Sequence, residues 1–264
     1  MPEDNPTTPA PDAPPVNGIV VSLPCGYLRD GRVHREAEIV PMTGLTRKAI
    51  AREDVRNNPI KVTDVILSHC LKRVGDATSI TSRLLGDLVI GDRDFLILEI
   101  RRVSMGEAIV ANVECDSCKA KVEVTFHIKE IETIRLGDPK DYPERDGSLT
   151  FAVRGDGFEA VSRFPKGADQ ALIMPGATKN PVAASYGLYA ACLLEWNGKR
   201  GPFDTAFFES LPLSVLDVFE EEFMALQPGP VMKQDASCPS CGASIDFTFR
   251  GSDFLFRVPK RGRL

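Results

Sequence analysis

The sequence predicts an α+β fold in which helices and short antiparallel hairpins are organised around a split zinc ribbon. Two Cys-x-x-Cys pairs, Cys115/Cys118 and Cys238/Cys241, are each followed by a strand in which apolar and polar residues alternate. Elsewhere, apolar residues recur at helical spacing in several segments. The 264 residues, 43% of them hydrophobic, are enough for one large core or two small ones.

The first 108 residues predict a disordered lead and an N-terminal α+β domain. Residues 1–17 carry six prolines among acidic and polar residues and have little to bury, which is typical of disorder. Residues 18–108 open with a β-hairpin that turns at Asp30-Gly31. Three helices are predicted next, over 47–57 with Thr46 as cap, over 64–74 with Thr63 as cap, and from the cap Gly91-Asp92 to Gly106.

The rest of the chain predicts two knuckle hairpins separated by an insertion. Residues 109–134 form the first zinc knuckle hairpin, and 231–264 form the second with a basic tail. The inserted segment, 135–230, is rich in Gly, Pro and Asp as far as about residue 180, which favours a small β meander or an extended surface loop. Two apolar helices follow, over 181–196 and 212–226.

The four paired cysteines are candidate ligands of one structural zinc ion. Tetrahedral Zn²⁺ takes four ligands, and two Cys-x-x-Cys turns supply four thiolates, so we expect Cys115, Cys118, Cys238 and Cys241 to share one Zn²⁺. Zinc-ribbon pairs usually lie about 15–20 residues apart. Here residues 119–237 intervene, so the ends of the insertion have to meet at the metal. Four thiolates close the coordination shell, which excludes a catalytic role for this metal.

Other readings of the cysteines are disulfides, redox chemistry and metal-free thiols. A redox Cys-x-x-Cys normally opens a helix, whereas both motifs here lead into strands. The remaining cysteines, Cys25, Cys70 and Cys192, stand in apolar surroundings and predict buried thiols in a reducing compartment. The sequence therefore predicts a cytoplasmic protein.

Composition excludes several classes of function. With a net charge of −5 and a pI near 5.4, no general attraction to nucleic acid is expected. No run of 18 apolar residues and no basic, apolar signal sequence is present, so membrane insertion is not expected. The P-loop, Gly-x-Ser-x-Gly and His-Glu-x-x-His motifs are absent, which favours a protein that is not an enzyme and has no small-molecule substrate.

A series of phrases resembles one family of phage proteins. They are LPCGYL, REAEIVPMTG, LLGDLVIGDRDFLILEIRRVSMG before the first knuckle, and LPLSVLDVFEEEF before CPSCG. The series resembles the T-even-phage type baseplate hub assembly proteins and their relatives in tailed phages and contractile injection systems. In that group a GDRxxLLLxLR…G helix precedes a cysteine knuckle; the matching residues are Gly91, Asp92, Arg93, Phe95, Leu96, Leu98, Arg101 and Gly106. The resemblance covers 19–128 and, less closely, 186–256.

The resemblance implies a structural or assembly component of a contractile-tail baseplate or hub, carried in a virion or injection-system particle. Its expected partners are other baseplate, hub or tail proteins. Two alternatives remain open: a zinc-ribbon protein that binds nucleic acid, and a thiol-dependent enzyme. The first would need a basic, aromatic face on the ribbon, and the second a metal-free, exposed cysteine of low pKa.

Overall fold

The computed structural model describes residues 17–177 and 179–248. The predicted disordered lead, apart from Asn17, and the basic tail from residue 249 onward lie outside the described residues. The described part combines helices with antiparallel strand pairs, which confirms the predicted α+β class. None of its helices has the length and apolar character that a membrane span requires.

The N-terminal part packs five helices against a three-stranded antiparallel sheet of strand order β1-β2-β3. The turn of the first hairpin falls at Asp30-Gly31, as predicted, and both residues have a positive φ. In chain order the elements are β1 Ile19–Arg29, β2 Arg32–Ile39, α1 Gly44–Ile50, α2 Glu53–Arg56, α3 Pro59–Cys70, β3 Leu71–Val74, α4 Ser82–Asp87 and α5 Ile90–Met105.

The rest of the described chain forms a five-stranded sheet, three two-stranded sheets and four α-helices. The larger sheet has the order β11-β10-β9-β8-β7, and the small ones pair β4 with β5, β6 with β12 and β13 with β14. The elements are β4 Ala108–Glu114, β5 Lys121–His127, β6 Thr133–Ile134, β7 Glu144–Arg145, β8 Ser148–Gly155, β9 Phe158–Arg163, α6 Gly167–Ala177, α7 Pro181–Cys192, β10 Leu193–Trp196, β11 Lys199–Arg200, α8 Thr205–Glu209, α9 Leu213–Ala225, β12 Gly229–Pro230, β13 Lys233–Ser237 and β14 Ser244–Thr248.

The starts of the first two predicted helices differ from the prediction. The first helix begins at Gly44, with Thr43 as its N-cap, and Thr46 is the third helical residue, whose hydroxyl accepts from the Thr43 N–H. The α3 helix is capped by Asn58, whose side chain accepts from two backbone N–H groups, and Thr63 lies inside it. An Asn-Pro pair is a strong start signal, because Pro at the first helical position lacks only an N–H that the helix does not use.

The insertion contains helices in addition to the two predicted ones. Strands β7, β8 and β9 follow one another in antiparallel order, and α6 and α8 are additional to the two predicted helices. The predicted helix over 181–196 ends at Cys192, because the next four residues form β10 and pair with β9. Tertiary pairing thus overrides the apolar helical pattern of residues 193–196.

Most apolar burial lies in two cores. The first is built from β1, β2, β3, the five helices around them and the inner faces of β4 and β5. The second is aromatic and fills the space between the five-stranded sheet and helices α7, α8 and α9. One face of α9 belongs to it, since Phe219 and Phe223 are fully buried. Trp196 stacks on Phe158 with ring centroids 4.7 Å apart.

The two ends of the insertion meet beside α5. Ile134 of β6 is opposite Gly229 of β12, so the chain leaves and returns at one strand pair. The first turn of α5 packs directly on this point, where a Cβ on Gly91 would lie 1.7 Å from the carbonyl oxygen of Pro228. Gly229 itself has a φ of 133°, and a Cβ there would lie 2.6 Å from the Gly91 Cα. Both positions need glycine because backbone approaches backbone.

Asp92 has a different role from the predicted helix cap. The N-cap of α5 is Val89, and the Asp92 side chain, with 0% exposure, accepts from the N–H groups of Cys25 at 2.7 Å and Gly26 at 2.8 Å. These two residues lie where the pairing of β1 with β2 shifts register. Burial raises the pKa of the Asp92 carboxyl to about 6, against the opposing effect of the two N–H groups. Asp92 therefore fastens α5 to the irregular part of β1.

Two of the three arginines of the same helix, Arg93 and Arg101, are also buried and bonded. Arg93 donates to the carbonyl oxygen of Leu85 at 2.7 Å and to the carboxylate of Asp64 at 2.7 Å. Arg101 donates to the carbonyl oxygens of Gly106 and Ala108, and so holds the turn from α5 into β4. The charged residues Asp92, Arg93 and Arg101 of α5, the GDR helix, thus make structural contacts. Each one hydrogen-bonds to backbone groups or to a neighbouring helix.

Candidate metal centre

Each cysteine pair lies in the loop of a β-hairpin. In the first, the Cys115 N–H donates to the carbonyl oxygen of Ala120 at 3.0 Å, and the Lys119 N–H donates to the carbonyl oxygen of Cys115 at 2.8 Å. Strands β4 and β5 flank this loop and pair in register from Ala108/His127 to Glu114/Lys121. The loop therefore has a fixed conformation that turns the side chains of Cys115 and Cys118 to the same end of the hairpin.

The second knuckle repeats the first. The Cys238 N–H donates to the carbonyl oxygen of Ala243 at 2.8 Å, and the Gly242 N–H donates to the carbonyl oxygen of Cys238 at 2.8 Å. Gly242 has a φ of 74°, and Lys119, its counterpart in the first knuckle, has a φ of 58°. Both loops need a left-handed residue after the second cysteine. The glycine of CPSCG signals it, whereas the lysine of CDSCK gives no such signal.

The structure brings all four cysteines together. Their sulfur atoms lie within 4.8 Å of one another, and no other residue of the described chain joins this cluster. The contacts between knuckles are Cys115 Sγ to Cys241 Sγ and Cys118 Sγ to Cys238 Sγ, both 3.8 Å. Zn–S bonds of about 2.3 Å in a regular tetrahedron give sulfur–sulfur edges of about 3.8 Å. The four thiols therefore have the number and spacing that a tetrahedral metal ion requires.

The same distances bear on the other readings of the cysteines. A disulfide joins sulfurs at about 2.05 Å, and all seven cysteines of the chain are free. The motifs run into strands β5 and β14 and do not open a helix, unlike the motifs of thioredoxin-like redox proteins.

A small apolar cluster surrounds the thiols. Cys115 and Cys238 are 0% and 2% exposed, and each packs with the first inward residue of the strand that follows it, Val122 or Ile245. Cys118 and Cys241 lie on the solvent side. The two hairpins belong to separate sheets, so the thiols and this cluster are where they meet. Four buried residues are a small core, and a bound metal would add most of the local stability.

Two of the four thiols, Cys238 and Cys118, have pKa values shifted in opposite directions. Although burial raises the pKa of Cys238, backbone N–H groups of Ser240 and Cys241 lower it to about 7. The Ala120 N–H lowers the pKa of Cys118, but hydrogen bonding with the other sulfurs, Cys241 first, raises it to about 11. Metal ions bind thiolates. Loading the site at neutral pH would therefore release protons and make the affinity depend on pH.

The other three cysteines lie in the two large cores, away from this cluster. Burial raises the pKa of Cys70 to about 11 and that of Cys192 to about 12. Burial also raises the pKa of Cys25 well above its usual range. Such thiols stay protonated and behave as small apolar side chains.

Comparison with known proteins gives one match. The model of a family described as T4 bacteriophage base plate protein matches residues 38–257. The matched stretch contains the GDR helix, the insertion and both knuckles. No curated protein and no solved structure matches the chain.

Proposed function

This chain belongs to the T4 bacteriophage base plate protein family, and on that premise we propose that it is a non-catalytic structural or assembly component of a contractile-tail baseplate or its hub. The family match over 38–257 carries this proposal. Membership implies interaction with other phage structural proteins. We propose contacts with baseplate, hub or tail proteins as its mode of action, in a particle assembled in the cytoplasm.

The proposed metal is a single Zn²⁺ bound by Cys115, Cys118, Cys238 and Cys241. The all-thiolate donor set and the 3.8 Å contacts between knuckles support zinc over harder cations, which prefer oxygen ligands. With its shell closed by sulfur, the ion would have no open position for a substrate. Its role would be to join the β4–β5 hairpin to the β13–β14 hairpin, since no strand pairing among the described residues connects them.

This role explains the long separation of the cysteine pairs. The β6–β12 pair brings residues 134 and 229 together, and the knuckles stand on either side of that pair in the sequence. We therefore propose the division into an N-terminal domain over 18–108, a first knuckle over 109–134, an inserted segment over 135–230 and a second knuckle with its tail over 231–264. The β6–β12 pair would hold the two ends of the insertion together, and the metal ion would hold together the two knuckles that flank it.

Charge on the ribbon supports a role in protein contacts over nucleic-acid binding. Strands β5, β13 and β14 expose both positively and negatively charged side chains, and Lys233 forms an ion pair with Asp246 at 3.7 Å. Clustered Lys and Arg residues increase affinity for nucleic acids, because each phosphate that they neutralise releases counterions. We expect no salt-dependent gel shift with duplex or single-stranded DNA at protein concentrations up to about 1 μM, the tight end of the usual range of non-specific dissociation constants.

Deletion of the gene from its phage or injection-system cluster tests the baseplate role. We expect tails without complete baseplates by electron microscopy, and restoration when the intact chain is supplied in trans. Mass spectrometry of purified particles then separates a permanent component, which is retained, from an assembly factor, which is not. Complete and infective particles in the deletion strain would contradict the proposal.

Metal analysis tests the zinc proposal separately. We expect one zinc ion per chain in protein purified without added metal, because only the four thiols together supply a closed tetrahedral shell. The measurement is elemental mass spectrometry combined with thiol titration. Two zinc ions per chain, or no zinc with all seven thiols titratable, would contradict a shared site.

A further inference from the structure

A groove of about 740 Å³ opens on the N-terminal part. Its apolar walls include Met42 from the segment after β2, Ile50 from α1 and Met105 from the end of α5. Its charged lining residues are Arg47 and Arg56, and no acidic residue of the described chain lines it. A groove of this size, with apolar walls and a few charged groups, is suited to an extended ligand segment.

The two arginines have no partner within the described chain. Both are exposed, and neither forms an ion pair or a side-chain hydrogen bond with a described residue. By contrast, the neighbouring Arg52 is paired with Asp54 at 3.0 Å. Residues 44–61 contain five basic and two acidic residues, in a chain whose net charge is −5. The groove therefore lies in a local basic patch.

The sequence before β1 has the complementary character. Residues 1–16 contain Glu3, Asp4 and Asp12, six prolines, and no lysine or arginine. Proline and alanine offer apolar surface to the groove walls, and a proline-rich segment loses little conformational entropy when it docks. The carboxylates of the segment could then reach the two arginines.

The strand register places Ile19 at the end of the sheet from which the chain continues to the groove. Ile19, the first residue of β1, is opposite Ile39, the last residue of β2, and the strands are antiparallel. Residues before 19 and residues after 39 therefore leave the sheet at the same end. Met42 of the groove wall comes three residues after Ile39, and its N–H is fixed by the hydroxyl of Ser104 at 2.8 Å. A proline-rich segment spans about 3.1 Å per residue, so residues 1–16 have ample reach.

From these observations we infer that residues 1–16 bind in this groove of their own chain, with acidic side chains on Arg47 and Arg56. A short tether gives the segment an effective concentration on the order of millimolar, so contacts that would be weak between separate molecules are sufficient. The inference is independent of the proposed baseplate function and of the metal site.

Photo-crosslinking in the full chain tests this inference. Ala10 or Ala13 is replaced by p-benzoylphenylalanine, which reacts well with methionine, and the products are mapped by mass spectrometry after irradiation. We expect adducts to Met42 or Met105 in a product of monomer size. In R47E/R56E the yield should fall about tenfold, because two attractive charges become repulsive. The reciprocal lead variant, E3Q/D4N/D12N, should lose yield similarly and leaves the groove unchanged.

The matched control is R32E/K199E, which makes the same change in net charge at two exposed residues that have no described ion pair. It should leave the yield unchanged, and circular dichroism should show all variants folded. Adducts scattered over the surface would overturn the inference. So would a crosslinking yield that is unchanged in both R47E/R56E and E3Q/D4N/D12N. Adducts of dimer size would also overturn it and would assign the groove to the lead of a second copy.

Discussion

Replacing Cys238 by serine is expected to abolish metal binding and to loosen both knuckle hairpins together. The apparent binding free energy of a structural zinc ion is on the order of 10 kcal/mol, comparable with the total stability of a domain. Hydrogen-exchange mass spectrometry should show rapid exchange in residues 115–124 and 233–248. Strands β8 and β9 should remain protected, because they pair within the second core and share no residue with the cysteine cluster.

Cys70→Ser is the matched control, since it makes the same atomic change at a fully buried cysteine outside the cluster. It should retain one zinc ion and lose about 1–3 kcal/mol of unfolding free energy, as for an ordinary core substitution. If Cys238→Ser retained stoichiometric zinc, or if only residues 233–248 exchanged faster, the four thiols would not act as one shared site.

The candidate site was predictable because its signals are local. A Cys-x-x-Cys turn and a period-two strand each need only a few neighbouring residues, and the four-ligand requirement of zinc links two motifs however far apart they lie. The structure places the four sulfurs together. The left-handed conformation of Lys119 could not be predicted in the same way, because a lysine at that position carries no signal of a positive φ.

Two of the errors concern residues whose partners are distant in the sequence. Asp92 has the residue type and position of a helix cap. Its carboxylate, however, accepts hydrogen bonds from the N–H groups of residues 25 and 26 in β1. Residues 193–196 continue an apolar helical pattern, but they pair with β9. In both cases a contact between elements decides the structure, and one sequence holds no record of which elements will meet.

Gly91 is the sharpest case of such a hidden contact, and Gly91→Ala should destabilise the protein by about 3 kcal/mol or more. The added Cβ would lie 1.7 Å from the carbonyl oxygen of Pro228 and 2.6 Å from its carbonyl carbon, so α5 and the start of β12 would have to separate. Backbone atoms on both sides leave no flexible side chain to give way. The measurement is urea unfolding followed by the fluorescence of Trp196, the single tryptophan of the chain.

Gly86→Ala provides the control within a helix. At Gly86 the nearest atom to an added Cβ is the Ala168 Cβ at 3.5 Å, an ordinary contact, and its backbone needs no positive φ. That substitution should stabilise the protein by about 0.4–1 kcal/mol, because alanine restricts the unfolded chain. The opposite signs at two glycines only five residues apart would show that α5 closes the insertion through direct backbone contact. Equal effects of the two substitutions would contradict that contact. The ends of the insertion would then be linked only by the β6–β12 pair and the knuckles.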